Sequence, residues 1–553
     1  MPNRWMKVLT LLSFATLLFL LFKNIKYPLF WNDEADTAAF AQRIIEYGYP
    51  KVHGVKNVIS HSIPKHPEIG LKKSIDANVV SGWGQYYFAV PFVWLSSFFD
   101  DLYTKTEIIR IPYALFGLVG LLAFSFAITP IFKNDDKKKF TFLTLYFLIE
   151  ASSAYILLHL REVRSHPLSL FLTGILFFIY IRYNFFGQFS RRRYFLLMVF
   201  LLLVLFNVLY LTYFSFVIAI LLYALIDILK DFLKNKKLTR ELVFKFFNYI
   251  NIQVVLVSLL TILPFIFFYE IPLTSSSIRA LYKTPLIWYL EATVSIFIYF
   301  SITEYLLAAV IIRFVFSFGI NNNSSRESVF RKIVGVSNFS FLLIFITILI
   351  VINTPILFTR YLITIQPLST LGFLVCSLVA FGSYKKYEPF SVRTTVLLAL
   401  FCLVFFRVLM VRVLIMSRYV HEITTRYMGV LDVVIPYIKE NHTNPKELTI
   451  ATNYEEEAII FYLGSKTIVG YTGNNLADDV KLSPDIIIPR PSREENLDEL
   501  KGLLKKGRYK KATFPIMDYQ VNNIPELYYK PAHLFSTLYA KDDNDRLVIY
   551  EKD

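Results

Sequence analysis

Cysteine is almost missing from this chain. Only Cys376 and Cys402 occur in 553 residues, and both lie inside apolar runs. That excludes a disulfide framework in the water-exposed parts and a metal cluster built on thiolates. No glycine-rich loop that could cradle nucleotide phosphates is present, which argues against ATP use. No G-x-S-x-G turn is present either, which removes one hydrolase class. His53, His61 and His66 fit no zinc-ligand spacing. Charge is scarce at 18%, against 55% hydrophobic residues and a mean hydropathy of +0.49. Such a chain is too apolar for a soluble multidomain protein and fits a polytopic α-helical membrane protein. No small-residue cleavage site separates the first apolar stretch from Trp31, so that stretch reads as a retained span, not a removed signal. No internal repeat or low-complexity linker is visible.

Aromatic residues make up 17%, with 53 phenylalanines and 36 tyrosines. They suit lipid interfaces and packing between spans. Apolar runs of spanning length fall at 8–28, 111–132, 140–158, 167–184, 194–210, 213–229, 247–268, 286–313, 337–357, 361–383 and 394–416. About eleven spans follow, with 194–229 divided near Asn207 to Tyr213 because it is too long for one crossing. The net charge of +16 is explained by basic cytoplasmic loops, not nucleic-acid binding. With the N-terminus inside, the short basic loops at 134–139, 191–193, 230–240, around Arg326, Arg331 and Lys332, and at 385–386 all face the cytoplasm. The opposite face holds a first loop at 31–110, the link Arg161 to His166, 269–285 and everything after about 417. The stretch 85–99 would invert every later loop if it crossed, so it reads as an interfacial helix. Residues 1–419 thus form a membrane domain and 420–553 a small extracytoplasmic α/β domain. In the latter, LTIATN and TIVGY flank a helix at 455–463. DIIIPR precedes the amphipathic ENLDELKGLLKKG, and LFSTLYA with RLVIYE reads as a hairpin.

Chemistry-bearing side chains gather on the outer face. Asp33, Glu34 and Asp36 follow the first span directly, and two carboxylates beside hydrocarbon are costly to keep. A proton acceptor at a membrane surface needs such a group; the competing reading makes Asp33 the cap of the helix at 34–47. Lys51 lies in the same loop. Arg161 and Arg164 flank the third-to-fourth span junction, Thr212 and Tyr213 the next outer turn, and Arg279, Tyr282 and Lys283 the one after. Arg360 and Tyr361 open the tenth run. Arginine beside hydrocarbon suits an anionic partner, because the guanidinium fork matches phosphate oxygens; the competing reading is snorkelling, or a bridge such as Arg161 to Glu162. The run Glu455 to Glu457 reads as an exposed first helical turn.

These blocks in this order resemble the GT-C glycosyltransferases, in particular the bacterial family related to protein O-mannosyltransferases and the aminoarabinose transferase of lipid A. The likeness is carried by WNDEADTAAFAQRIIEYGYP, by GQYYFAVPFVWLSSFF with TEIIRIPYALFGLVGLL, and by HLREVRSHPLSLFL. LYLTYFSF, TRYLITIQPLSTL, and NYEEEAIIFYLGSKTIVGY with PDIIIPR complete it. It spans nearly the whole chain. Departures occur at Gly82, Trp83 and Gly84, where the family often has a proline pair, at Tyr213 in place of a usual histidine, and in the long loop 51–80; they bear on substrate identity. The resemblance implies a polyprenyl-phosphate sugar donor and an envelope lipid, glycan or protein acceptor, in a prokaryotic plasma membrane. Asp33 would be general base, with Glu34 orienting. Arg161, Arg164, Arg360, Tyr361 and Lys51 would hold the donor phosphate. No metal or other cofactor is required, though a divalent ion is compatible. Two other classes stay open: a transporter of lipid-linked sugar, and a non-catalytic envelope assembly protein.

Overall fold

The computed structural model describes the chain except residues 1, 60–65, 67, 133–134, 236–247, 273, 275–276, 278–285, 303–304, 307–308, 311–323, 355–357, 385–391, 427, 472–475 and 519–545. The expected outer residues Arg279, Tyr282 and Lys283, positions 236–240 of the basic loop expected at 230–240, and the loop at 385–386 lie outside the described residues.

Helices dominate the first three quarters of the chain: α1 (Pro2–Phe22), α2 (Asn32–Tyr47), α3 (Gly84–Ser96), α4 (Leu102–Ala127), α5 (Asp136–Ala151), α6 (Ala154–Leu160), α7 (Ser165–Asn184), α8 (Arg191–Val208), α9 (Tyr210–Asn235), α10 (Ile250–Phe268), α11 (Leu286–Tyr299), α12 (Ser324–Ile352), α13 (Ile365–Tyr384) and α14 (Val392–Thr424). Among the described residues, six helices are long and apolar enough to cross a membrane. Counting α5 and α6 as one span bent by 75° gives seven. The other four expected runs lie on α8, α11, α13 and α14, whose described residues are not among the six. The long apolar run at 194–229 divides at Leu209, between α8 and α9, as its length requires. Helix α3 has 13 residues, about 20 Å at helical rise, short of a hydrocarbon core of roughly 30 Å.

Small residues let α4 and α7 lie close. A Cβ on Gly120 would stand 2.6 Å from the Leu170 carbonyl oxygen, and one on Gly174 only 3.0 Å from the Gly120 Cα. Backbone approach of this kind is how membrane helices gain packing without a hydrophobic driving force. Helix α2 is equally fitted: Ala35, Ala38, Ala39 and Ala41 are buried. It stops at Gly48, whose φ of 84° suits glycine and whose N–H reaches the Ile44 carbonyl at 2.8 Å. A two-residue hairpin, β1 (Leu71–Lys72) with β2 (Ala77–Asn78), lies between α2 and α3.

Helix α14 runs through residue 420, and the α/β part begins at α15 (Val430–Asn441). Its strands β3 (Thr449–Thr452), β4 (Lys466–Val469), β5 (Ile486–Ile488), β6 (Tyr509–Met517) and β7 (Arg546–Lys552) form one sheet in the order β4-β3-β5-β7-β6. The first three are parallel, with helices α16 (Glu456–Leu463) and α17 (Leu497–Leu504) following β3 and β5. The last two pair antiparallel. The expected hairpin changes partner: RLVIYE is β7, but the strand beside it is YKKATFPIM, and LFSTLYA lies outside the described residues. Two lysines and a proline hid β6 from the pattern. They are the residues that protect a sheet edge, and the register shifts around Pro515.

The outer domain sits on the membrane part through polar seams. Tyr462 Oη accepts the Phe30 N–H at 3.1 Å and bonds Thr106 Oγ1 at 2.6 Å. The Asn57 amide donates to the Ser465 carbonyl at 2.9 Å, and its Oδ1 accepts the Thr467 N–H at 2.8 Å. Asp432 accepts the Leu29 N–H at 3.0 Å.

Candidate active site

The first turn of α2 brings Asp33, Glu34 and Asp36 beside the N-terminal end of α7 and the turn that precedes α13. The capping position is Trp31, and it makes no side-chain cap bond. Asp33 is therefore not the cap. Its carboxylate lies 3.0 Å from Arg360 Nη2 and 3.3 Å from Arg164 Nη2. Arg164 Nη1 also donates to the Asp33 carbonyl at 2.9 Å and to Asp36 Oδ2 at 3.2 Å. Arg164 precedes α7, and Arg360 belongs to a 3-10 turn, Thr359–Leu362, before α13. Three segments far apart in sequence thus meet at one carboxylate. Arg360 is oriented by aromatic faces, 4.1 Å above Phe358 and 5.5 Å from Trp31.

Glu34 points elsewhere. It accepts a two-pronged contact from Arg110, at 2.8 Å from Nε and 2.5 Å from Nη2, and the Val163 N–H at 3.0 Å. Arg110 Nη1 spends its protons on the Ile25 and Pro28 carbonyls, at 3.0 and 2.7 Å. The pair is buried. Its geometry is a clamp joining α2, α4 and the chain after α1, so Glu34 holds Asp33 in place and leaves little capacity for a ligand.

The other expected phosphate ligands divide. Tyr361 stands in the same turn as Arg360, its ring 6.0 Å from His166. Arg161 turns toward α1. Nε donates to the Leu21 carbonyl at 3.0 Å, and Nη2 to the Lys23 carbonyl at 2.9 Å and to that of Leu20. It closes the C-terminal end of α1, where carbonyls lack partners and a cation is favoured. Lys51 sits 4.6 Å over the Tyr47 ring, at the end of α2 remote from Asp33, about 20 Å along the helix. Thr212 bonds Ser169 at 3.1 Å and Tyr213 bonds Ser258 at 3.3 Å, both as packing contacts between helices.

The outer domain contributes what the sequence did not disclose. Glu455, Glu456 and Glu457 are buried, not exposed. Glu455 pairs with Arg490, and Glu456 Oε1 accepts the Tyr471 N–H at 2.8 Å. Burial holds the Glu457 carboxyl well above the ordinary range, with the charges of Glu456, Asp36 and Asp33 pushing the same way. Glu457 thus lies within electrostatic reach of Asp33 and Asp36 and roofs their cluster from the α/β part. One signal was available: AIIFYL after the glutamates is apolar on every face, which marks a helix covered on all sides. Beside this roof a cavity of about 390 Å³ opens between the first outer loop and the outer domain, with His53, Lys56, Glu456, Lys466 and Asp479 in its wall. Among the described residues, no group of three His, Cys, Asp or Glu is placed to hold a metal ion.

No family model matches the chain, and no curated protein matches it. Solved structures do. ArnT from Cupriavidus metallidurans superposes in the apo state with a TM-score of 0.50 and bound to undecaprenyl phosphate with 0.52, each at 12% identity over 98% of this chain and 97% of that one. The archaeal oligosaccharyltransferase AglB from Archaeoglobus fulgidus, in complex with an inhibitory peptide and a dolichol-phosphate, gives 0.49 at 12% identity over 92% and 73%. The ArnT likeness runs end to end, through the membrane helices and the outer sheet alike, and at this identity it is a likeness of fold.

Proposed function

We propose that this chain, which has the GT-C fold, is a membrane glycosyltransferase that moves a sugar from a polyprenyl-phosphate carrier to an acceptor on the outer face of a prokaryotic plasma membrane. The observation that carries the reading is the Asp33 carboxylate held between Arg164 and Arg360 at the outer mouth of the spans. That constellation, in a fold whose solved example ArnT binds undecaprenyl phosphate, supports a lipid-phosphate donor.

The reaction is a single displacement. An acceptor hydroxyl attacks the anomeric carbon, and the new bond forms as the bond from that carbon to the phosphate oxygen breaks. The electron pair leaves with the carrier phosphate, and Asp33 takes the hydroxyl proton. A phosphate entering between the guanidiniums competes with Asp33 for them. The carboxylate it displaces is then free to accept the proton, so donor binding readies the base. Each charged hydrogen bond from Arg164 or Arg360 contributes about 1.5–3 kcal/mol to holding the phosphate. Tyr361 lies beside Arg360 and supplies a further donor. Glu34 positions the base through Arg110. The chemistry asks for no nucleotide and no metal, since arginines can stabilise the leaving charge. The acceptor, whether lipid, glycan or protein, would reach Asp33 beneath the Glu457 roof. The N-terminus lies in the cytoplasm and the α/β domain outside, by the placement of basic loops.

The test compares envelope lipids, glycans and exported proteins by mass spectrometry in cells carrying the wild-type chain, a deletion or Asp33→Asn. Loss of one glycoform in both altered strains, at equal protein level, is the expected result. A normal profile with Asp33→Asn removes the mechanism. One observation favours a second reading: the 75° bend between α5 and α6 is a broken span of the kind transporters use. Carrier-linked sugar crossing proteoliposomes without release of free carrier phosphate would favour it.

A further inference from the structure

His166 is the second residue of α7, two positions after Arg164. Its side chain is buried, at 1% exposure, and neither ring nitrogen has a hydrogen-bond partner among the described residues. Its neighbours are defined. The Tyr361 ring is 6.0 Å away, the His159 ring 5.9 Å, and the charges of Arg360 and Arg164 both act on it. His159 is already engaged through Nδ1 with Glu162 at 2.9 Å. Nothing in the clamp, the α1 cap or the Asp33 cluster uses His166.

A buried imidazole carries one N–H to give and one lone pair to fill, and native interiors rarely leave both unmet. Replacing it by an apolar ring would suit the empty protein better. Its retention beside two guanidiniums asks for a ligand that accepts hydrogen bonds and bears negative charge. The N-terminus of a 20-residue helix adds partial positive charge at the same place. Phosphate-ester oxygens accept the N–H and carry the negative charge that this position favours.

We infer that His166 donates a hydrogen bond to the phosphate of the substrate, completing with Arg164 and Arg360 a three-sided cradle. This rests on the proposed function, whose donor carries that phosphate. It goes further in naming a ligand residue absent from the expected set.

The test uses the full chain in nanodiscs, titrated separately with undecaprenyl phosphate, undecaprenol, phosphatidylglycerol and inorganic phosphate. His166→Phe keeps a ring but loses both polar atoms, and His166→Gln keeps a donor. The expected result is at least tenfold weaker undecaprenyl phosphate binding by His166→Phe, with a thermal midpoint equal to or above wild type, and intermediate binding by His166→Gln. Competition by inorganic phosphate alone would assign the cradle to free phosphate. Competition by phosphatidylglycerol would assign it to bulk headgroups. Wild-type affinity in His166→Phe overturns the inference and leaves the transferase reading standing. Equal losses in both variants with a lowered midpoint also overturn it, since that is the signature of packing. If the wild-type protein fails to distinguish undecaprenyl phosphate from undecaprenol, the donor assignment fails and the inference with it.

Discussion

Replacing Glu34 by glutamine removes one negative charge and almost no volume, which makes it a sharp probe of the site. Glu34 accepts from Arg110 twice and from the Val163 N–H once, and both side chains are nearly sealed from solvent. The variant takes from the buried Arg110 guanidinium the negative charge of its two-pronged partner, while the Ile25 and Pro28 carbonyls stay in place. Breaking a buried pair from one side costs about 3–5 kcal/mol, because the surviving charge is stranded. Arg110→Met should cost a similar amount. The double variant Glu34→Leu with Arg110→Met should recover most of the loss. It falls short by about 1 kcal/mol for each of the Ile25 and Pro28 carbonyls left without a donor. A coupling of at least 2 kcal/mol between the two positions is therefore expected. Equilibrium unfolding in mixed detergent and dodecyl sulfate micelles measures it, with turnover per folded molecule as the second readout. Full stability in Glu34→Gln together with abolished transfer would refute the clamp and return Glu34 to the chemistry.

Arg360→Lys keeps the charge but loses the planar fork stacked on Phe358, so carrier-phosphate affinity should fall about tenfold or more while the unfolding midpoint changes little. Arg161→Lys should do the reverse: stability falls by about 1–2 kcal/mol as the end of α1 loses its donors, and binding per folded molecule is kept. Glu456, whose carboxyl burial pushes up to about 7 from 4.5, gives a pH signature. Below pH 4.5 it is protonated folded or unfolded. Between 4.5 and about 7 only the unfolded chain ionises, so stability falls as pH rises through that window. The loss reaches about 3 kcal/mol above it. Glu456→Gln should remove that slope in denaturation curves taken from pH 4 to 8; an unchanged difference between the two proteins would show that the group is ionised when folded. Gly174→Leu should prevent α4 and α7 from meeting, seen as loss of the monodisperse peak in detergent chromatography.

The helical frame was legible because hydrocarbon imposes a length, and the C-terminal α/β part because its strands are short apolar runs between turns, both written in plain runs of letters. Asp33 was legible for the same reason, as a charge placed where charge is costly. Partners were not. Arg110 lies 76 residues from Glu34, and nothing local marks which arginine meets which carboxylate. Arg161 and Arg164 look equivalent in HLREVRSHP, yet one turns toward α1 and the other toward α2. The run Glu455 to Glu457 reads as a solvated turn because its partners lie further along the chain, Arg490 for Glu455 and the Tyr471 N–H for Glu456.

Gly120 lies ten residues along α4 from Arg110, and Gly174 ten residues along α7 from Arg164, so their contact sits about 15 Å beneath the arginines on both helices. Two side chains that consist of hydrogen alone thus help fix how far apart the buried guanidinium groups stand. In the proposed transfer, the spacing of the site is set in part by atoms that never meet a substrate. A screen for inactive variants should return these glycines beside Asp33, and a redesign for another sugar would do well to leave them untouched and work on the loops above.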